Sequence, residues 1–168
     1  MGVGDRPLGL PLWHPAALFA TGFGTGLLPF APGTCGSLAA VPFAWAIRSH
    51  WGAAGVAVAT LIVFIIGWWV AATVAEAIGT EDPDAIVIDE VAGQWLVLVP
   101  APLDPLAYAV AFVLFRTFDI WKPWPVRWAD RRVKGGLGIM HDDLLAAIYA
   151  VLVLLVLLAI GGAYGVRS

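Results

Sequence analysis

The fold class is decided by residues 52–78, GAAGVAVATLIVFIIGWWVAATVAEAI, in which Glu76 is the only charged side chain. A helix that spans the hydrocarbon core of a bilayer needs roughly 20 apolar residues, and this stretch exceeds that length. The whole chain has the same bias, with 61% hydrophobic and 12% charged residues among 168. Charge this sparse cannot coat a water-facing surface, because soluble domains are about a quarter charged. We therefore expect an integral membrane protein.

Four further apolar stretches flank this one, and three of them are short for a bilayer span. They run from about Ser37 to Ile47, Ala85 to Val99, Pro105 to Phe118 and Leu144 to Tyr164. Short segments need polar ends in the head-group layer or in a protein-lined pocket. The sequence predicts an all-α fold: a small polytopic helical membrane bundle of about four to five membrane segments, some short or re-entrant. The length predicts one domain, residues 1–168.

The basic residues are unevenly placed, and their placement predicts an orientation. Of nine Lys and Arg residues, six lie between Arg116 and Lys134. Basic loops of bacterial inner-membrane proteins face the cytoplasm, so this stretch should be cytoplasmic. If the chain crosses the membrane five times, the N-terminus and the loop near residues 79–85 are also cytoplasmic. Residues 100–104 then lie on the outer side. The net charge of −3 gives no basic field for nucleic acid.

Acidic residues stand at the ends of three apolar stretches, in IDEVAGQW (88–95), FRTFDIWKPWP (115–125) and GIMHDDLLA (138–146). Ionisable groups at such positions are expensive and usually mark a functional interior. Carboxylates gathered in one place repel without a cation, and hard oxygen ligands suit Mg²⁺. Capping of helix N-termini is the alternative for each adjacent pair. We favour one shared metal site, formed by Asp89, Glu90, Asp119, Asp142 and Asp143.

Basic side chains accompany the acids. Arg116, Asp119 and Lys122 lie at i, i+3 and i+6, which places them on one helix face before Pro123 ends the helix. Arg and Lys commonly contact phosphate oxygens, so Arg116 and Lys122 are predicted to contact substrate. Arg127 is predicted either to contact substrate or to anchor the chain to anionic lipid. His141, beside Asp142, is a candidate for proton transfer or a passive polar residue.

A glycine-rich segment, TGFGTGLLPFAPGTCGS (residues 21–37), precedes the first apolar stretch. We expect a loop there, with a helix beginning at Gly36 and Ser37, whose free N–H groups form an anion site. Thr34 and Ser37 could add hydroxyl donors. The alternative is that the glycines only form turns. The segment lacks the Lys of a nucleotide-binding P-loop.

Four motifs, PGTCGSLAAVPF, IDEVAGQW, FRTFDIWKPWP and GGLGIMHDDLLA, in this order and spacing, resemble the phosphatidylglycerophosphatase A family over about residues 21–150. The resemblance implies a bacterial inner-membrane enzyme that converts phosphatidylglycerophosphate to phosphatidylglycerol, using Mg²⁺ and facing the cytoplasm. It places the family's acids on the five carboxylates above. Its PGTxGS element falls on residues 32–37, and its KP element on Lys122 and Pro123.

The residues and the resemblance together predict a phosphatase of a phospholipid embedded in the membrane, and leave its oligomeric state open. The predicted catalytic residues are Asp89, Asp119, Lys122 and His141. The predicted substrate-binding residues are Thr34, Gly36, Ser37, Arg116, Lys122 and Arg127. Attack by water and a covalent phosphoaspartate both remain open as mechanisms. The alternative function is a small transporter or lipid-binding scaffold that uses the acids as an ion site.

Overall fold

The computed structural model describes residues 8–79, 85–124, 126–128 and 135–163, and every regular element in these ranges is a helix. The prediction of an all-α fold is confirmed. The elements are α1 (Pro15–Ala20), a 3₁₀ turn (Thr25–Leu27), α2 (Pro32–Ile78), α3 (Ile88–Leu98), α4 (Pro105–Trp121) and α5 (Gly135–Ala163).

The long helix α2 is broken at Gly52, which has φ +65° and ψ −163°, a conformation that favours glycine. The break divides α2 into a first arm, residues 32–51, and a second arm, residues 53–78. Ala40 of the first arm and Val63 of the second line one apolar cavity, so the chain reverses at Gly52 and the arms face each other. Gly79, at φ +72°, ends the second arm.

Two helices among the described residues are long and apolar enough to cross a membrane, Pro32–Ile78 and the stretch Gly136–Gly161. Helix α3 has 11 residues and α4 has 17. At 1.5 Å per residue, α3 is roughly 16 Å long, about half of the hydrocarbon thickness. The count of four to five membrane segments is therefore not confirmed.

The exterior of the second arm of α2 is apolar, as a lipid-facing surface would be. Val58, Leu61, Ile65 and Trp69 are each between 57% and 59% exposed. Soluble monomers rarely expose contiguous apolar surface of this kind. Together with the two long apolar helices, this surface indicates association with a membrane.

The buried side chains form two apolar clusters that share α3 and α5. One cluster joins α1 and the second arm of α2 to the starts of α3 and α5, and includes Met140. The other joins the first arm and α4 to the later parts of α3 and α5, and includes Ala146 and Phe115. Asp142 and Asp143 lie on α5 between Met140 and Ala146, so the polar site described next lies where the clusters meet.

Candidate active site

Helices α3, α4 and α5 meet at one polar cavity of about 540 Å³. Helix α3 supplies acids from its first turn, α4 supplies a cation and an acid from its last two turns, and α5 supplies two adjacent acids. The charged residues that line the cavity are Asp89, Glu90, Arg116, Asp119, Lys122, Asp142 and Asp143. All five predicted metal ligands are therefore brought together, although they are far apart in the chain.

Three of the carboxylates form the tightest group. Asp89, Glu90 and Asp143 each place one oxygen within 4.8 Å of the others. Asp89 Oδ1, Glu90 Oε2 and Asp143 Oδ2 are buried and have no hydrogen-bond partner within the described part of the chain. Buried carboxylate oxygens normally find a donor or a cation, because an unpaired buried charge is strongly unfavourable. A hard divalent cation held by these three carboxylates would compensate for their burial.

Arg116 connects this acidic group to the neighbouring helices. Its Nη1 lies 2.5 Å from Asp119 Oδ2, one turn along α4, and 3.8 Å from Glu90 Oε1 of α3. The same nitrogen donates to Ser37 Oγ at 3.3 Å, and the Ser37 hydroxyl donates to the carbonyl of Gly33 at 2.8 Å. The guanidinium is thus held by three helices, with only 13% of its side chain exposed.

Lys122 reaches the same cavity from just beyond the end of α4. It caps the helix with a left-handed backbone, φ +45°, and Pro123 follows it. Its Nζ lies 2.5 Å from Asp142 Oδ2 of α5. The prediction that the helix ends before Pro123 is confirmed, and the turn that ends it directs the ammonium group towards α5.

The glycine-rich segment folds differently from the expected loop. Helix α2 begins at Pro32, not at Gly36, because a proline at the first helical position has its backbone already set for a helix. Gly33 lines the cavity, and a Cβ there would lie 2.8 Å from the Glu90 carboxyl carbon. Three residues of this segment were predicted to bind substrate. Thr34, Gly36 and Ser37 are all outside the lining of the cavity, and Ser37 accepts a hydrogen bond from Arg116.

Two other predicted site residues lie apart from the cavity. His141 is half-buried on α5 and does not belong to the cavity lining among the described residues. Arg127 is exposed, and its guanidinium donates to the carbonyl of Trp121 at 3.1 Å. The basic residues Arg131, Arg132 and Lys134 lie outside the described residues.

One polar residue of this region was not predicted from the sequence. Gln94 is completely buried in α3, one turn after Glu90, and neither of its amide atoms has a hydrogen-bond partner among the described residues. Residues at i and i+4 share a helix face, so its amide lies on the same side of α3 as the Glu90 carboxylate. Gln94 could have been identified from the sequence as an amide side chain inside an apolar stretch, four residues after Glu90.

The chain is similar to known proteins over most of its length. A family model described as Phosphatidylglycerophosphatase A matches residues 18–158. The Phosphatidylglycerophosphatase A of Escherichia coli (strain K12) is 42% identical over 137 residues, which are 81% of this chain and 77% of that protein. Its Haemophilus influenzae counterpart is 41% identical over 145 residues, 86% of this chain and 89% of that protein.

A third relative carries a different name. The Putative phosphatidylinositol-3-phosphatase of Bacteroides thetaiotaomicron is 40% identical over 164 residues, 90% of this chain and 95% of that protein. No solved structure gives a significant match.

Proposed function

Because the chain belongs to the phosphatidylglycerophosphatase A family, we propose that it removes the terminal phosphate of phosphatidylglycerophosphate, leaving phosphatidylglycerol and inorganic phosphate. Members of the family are phosphatases, so the chain is an enzyme. The observation that carries the proposal is the cavity itself, where a group of carboxylates lies beside two cations, Arg116 and Lys122. The ion site of a transporter or a scaffold needs only the acids, whereas cations beside them also provide contacts for phosphate oxygens.

We propose Mg²⁺ as the cation of the acidic group, held by Asp89, Glu90 and Asp143, with Asp119 and Asp142 beside them. The fit follows from the three buried carboxylate oxygens that lack partners in the described structure. All the candidate donors are oxygens, and Mg²⁺ prefers oxygen ligands and commonly bridges to substrate phosphate. When bound, such a cation would polarise the phosphoryl group and lower the pKa of an attacking water.

Arg116 and Lys122 are proposed to hold the phosphoryl oxygens. Each is already paired with an acid, Arg116 with Asp119 and Lys122 with Asp142, so each is positioned before substrate arrives. Charge spreads over the equatorial oxygens in phosphoryl transfer, and fixed cations stabilise that charge without reorganising. Gly33 leaves room for the Glu90 carboxylate, since a Cβ there would lie 2.8 Å from its carboxyl carbon.

The departing glycerol oxygen needs a proton, and the cavity offers carboxyl groups as donors. Asp119 and Asp142 line the cavity and are 8% and 7% exposed, so either could take the proton from the attacking water and pass it to the glycerol oxygen. We propose one of these two as the acid, in place of His141, which lies outside the cavity lining. The phosphorus is attacked either by water or by a carboxylate, and a phosphoaspartate trapped in rapid-quench experiments would identify the second route.

The placement of the site suits a substrate whose phosphate lies in the head-group layer. The acids begin α3 and end α4, and α3 is too short to cross a bilayer. We propose one domain with several membrane segments in the bacterial inner membrane, with the cavity facing the cytoplasm, on the side of the basic stretch 116–134.

The test is phosphate release by the purified protein in detergent micelles. We expect release from phosphatidylglycerophosphate with Mg²⁺, loss of release with EDTA, and recovery when Mg²⁺ is restored. Phosphatidic acid and phosphatidylinositol 3-phosphate are the comparison substrates, the second because of the Bacteroides relative. Faster release from either one would show that phosphatidylglycerophosphate is not the preferred substrate. Release that EDTA does not affect would contradict the proposed need for Mg²⁺.

A further inference from the structure

A second cavity, of about 270 Å³, lies beside the polar one and is almost entirely apolar. We call it the apolar groove. Its walls come from the α1–α2 connection, from both arms of α2 and from α3. The residues that line it are Phe19, Gly22, Phe23, Thr25, Gly36, Ala39, Ala40, Phe43, Val63, Ile88, Val91 and Trp95.

The few polar groups in the groove are already occupied by the protein. The Thr25 hydroxyl lies 3.1 Å from the carbonyls of Thr21 and Gly22, and Trp95 Nε1 donates to the carbonyl of Ala40 at 2.8 Å. Among the described residues, a ligand in the groove therefore meets hydrocarbon and aromatic surface and no free side-chain donor. At the rim, Phe23 is 75% exposed and Phe43 is 65% exposed. The groove suits a flexible hydrocarbon chain.

The groove and the polar cavity share a thin wall. Neighbouring residues line opposite sides of this wall. Ile88 lines the groove and Asp89 lines the cavity. One turn apart on α2, Gly36 lines the groove and Gly33 lines the cavity. Val87 fills the wall and packs closely on Gly36, where a Cβ would lie 2.8 Å from that of Val87. If a molecule placed its phosphate in the polar cavity, the atoms bonded next to that phosphate would lie close to this wall.

We propose that the apolar groove holds one acyl chain of the lipid whose phosphate enters the polar cavity, an inference that rests on the proposed function. The occupant follows from the pairing of an apolar groove with a phosphate-binding cavity across one wall, because a phospholipid carries both chemistries within one molecule. A chain in a bilayer is already out of water, so the groove contributes position more than affinity. It fixes the head group in register with the carboxylates.

The test fills the groove and compares two substrates that share a head group. Ala39→Phe places a ring in the groove from the first arm of α2. Wild type and variant are assayed on diacyl phosphatidylglycerophosphate and on its deacylated, water-soluble head group, in the same detergent. We expect kcat/KM for the diacyl substrate to fall about tenfold or more, with that for the head group within about twofold. Ala57→Phe, at an exposed position of the second arm, is the matched control and should change neither value.

Equal losses on both substrates, or no loss on either, would overturn the inference. An inactive wild type would instead overturn the proposed function, so the two failures are distinguishable. Val63→Phe fills the same groove from the second arm and serves if Ala39→Phe does not fold. A lipid with a photoactivatable acyl chain gives a second measurement. We expect labelling within residues 19–25 and 36–43, and labelling confined to other surfaces would contradict the groove.

Discussion

The acids of the polar cavity are unusual at the level of the single residue, because burial and like charge act on them together. Asp143 is 4% exposed and lies within reach of Asp89 and Glu90. Removing charges from water without compensation costs several kcal/mol per ion. Folding alone does not favour three buried carboxylates at these positions, which supports the proposal that they bind a cation.

Lys122 is a cation of the cavity, whereas Arg127 is a cation of the surface. Lys122 Nζ pairs with Asp142 inside the cavity, whereas Arg127 is exposed and bonded to a backbone carbonyl. We expect Lys122→Met to lower kcat/KM about a hundredfold, because one fixed transition-state contact has that order of effect. Arg127→Met should stay within about twofold. The reverse order of losses would restore Arg127 as the phosphate contact predicted from the sequence.

Gln94 is expected to be functional because its structural contribution is unfavourable. A buried amide without partners costs about 1–3 kcal/mol, so Gln94→Leu should maintain or raise the melting temperature. We expect the same variant to lose at least about tenfold in kcat, since the amide lies one turn from Glu90 on α3. Circular-dichroism melting and phosphate release measure the two effects. Full activity in the variant would show that Gln94 has no part in the site.

At the level of helices, the site depends on how closely α2 and α3 approach each other. Gly33 has no side chain where a Cβ would contact the carboxyl of Glu90, and Arg116 Nη1 lies 3.4 Å from the same point. The contact involves the ends of flexible side chains, so a methyl group can be accommodated by moving them. The helices would stay packed and the site would be distorted.

Gly33→Ala is therefore expected to fold and to lose activity. We expect phosphate release to fall about tenfold or more as the Glu90 carboxylate is displaced, with the melting temperature nearly unchanged. Gly161→Ala on α5 is the matched control, because nothing lies within 4 Å of a Cβ there. The control should retain full activity and gain slightly in stability from better helix propensity. Wild-type activity in Gly33→Ala would show that α2 and α3 are not close enough at Gly33 for a methyl group to displace Glu90.

Helix type and the gathering of the acids were predictable from the sequence, but two helix starts were not. Helix α5 begins at Gly135, whereas hydropathy placed the start of its apolar stretch near Leu144. Glycines disfavour a helix locally, yet a Cβ on Gly136 would lie 2.6 Å from the Trp68 carbonyl oxygen and from Ala72 Cβ. Close packing against α2 requires glycine there, and this tertiary contact is invisible to local propensity.

The gathering of the acids was predictable because each of the two pairs, and Asp119, stands at one end of an apolar stretch on the same predicted membrane face. The partners that Arg116 and Lys122 find on α2 and α5 were not predictable, because they lie at separations that no local pattern encodes, whereas the pairing of Arg116 with Asp119 is local. His141 illustrates the limit of inference from neighbours. It adjoins Asp142 in sequence, but adjacent residues on a helix point about 100° apart.

At the level of the whole molecule, an apolar exterior and one polar cavity imply a defined orientation in the membrane. We expect Trp124, 80% exposed near the cavity side, to face the cytoplasm, and Leu103, between α3 and α4, to face the opposite side. The prediction follows from the basic stretch 116–134 and the positive-inside rule.

Cysteine labelling measures this orientation in a Cys35→Ser background. A membrane-impermeant maleimide should label Trp124→Cys in inverted membrane vesicles and Leu103→Cys in right-side-out ones. Labelling of both positions from one side would contradict a membrane-crossing α4. Exchange of the two patterns would place the cavity on the outer face, where the substrate head group would have to be supplied from outside.

Cation binding by the three clustered carboxylates is best measured by titrating Mn²⁺, as a spectroscopic substitute for Mg²⁺, into the purified, EDTA-treated protein and counting bound ions by electron paramagnetic resonance. We predict saturable binding in the wild type and in Glu76→Gln, whose side chain is exposed on α2, and loss of that binding in Asp89→Asn and Asp143→Asn. Equal binding in all four proteins would contradict a cation site built from α3 and α5.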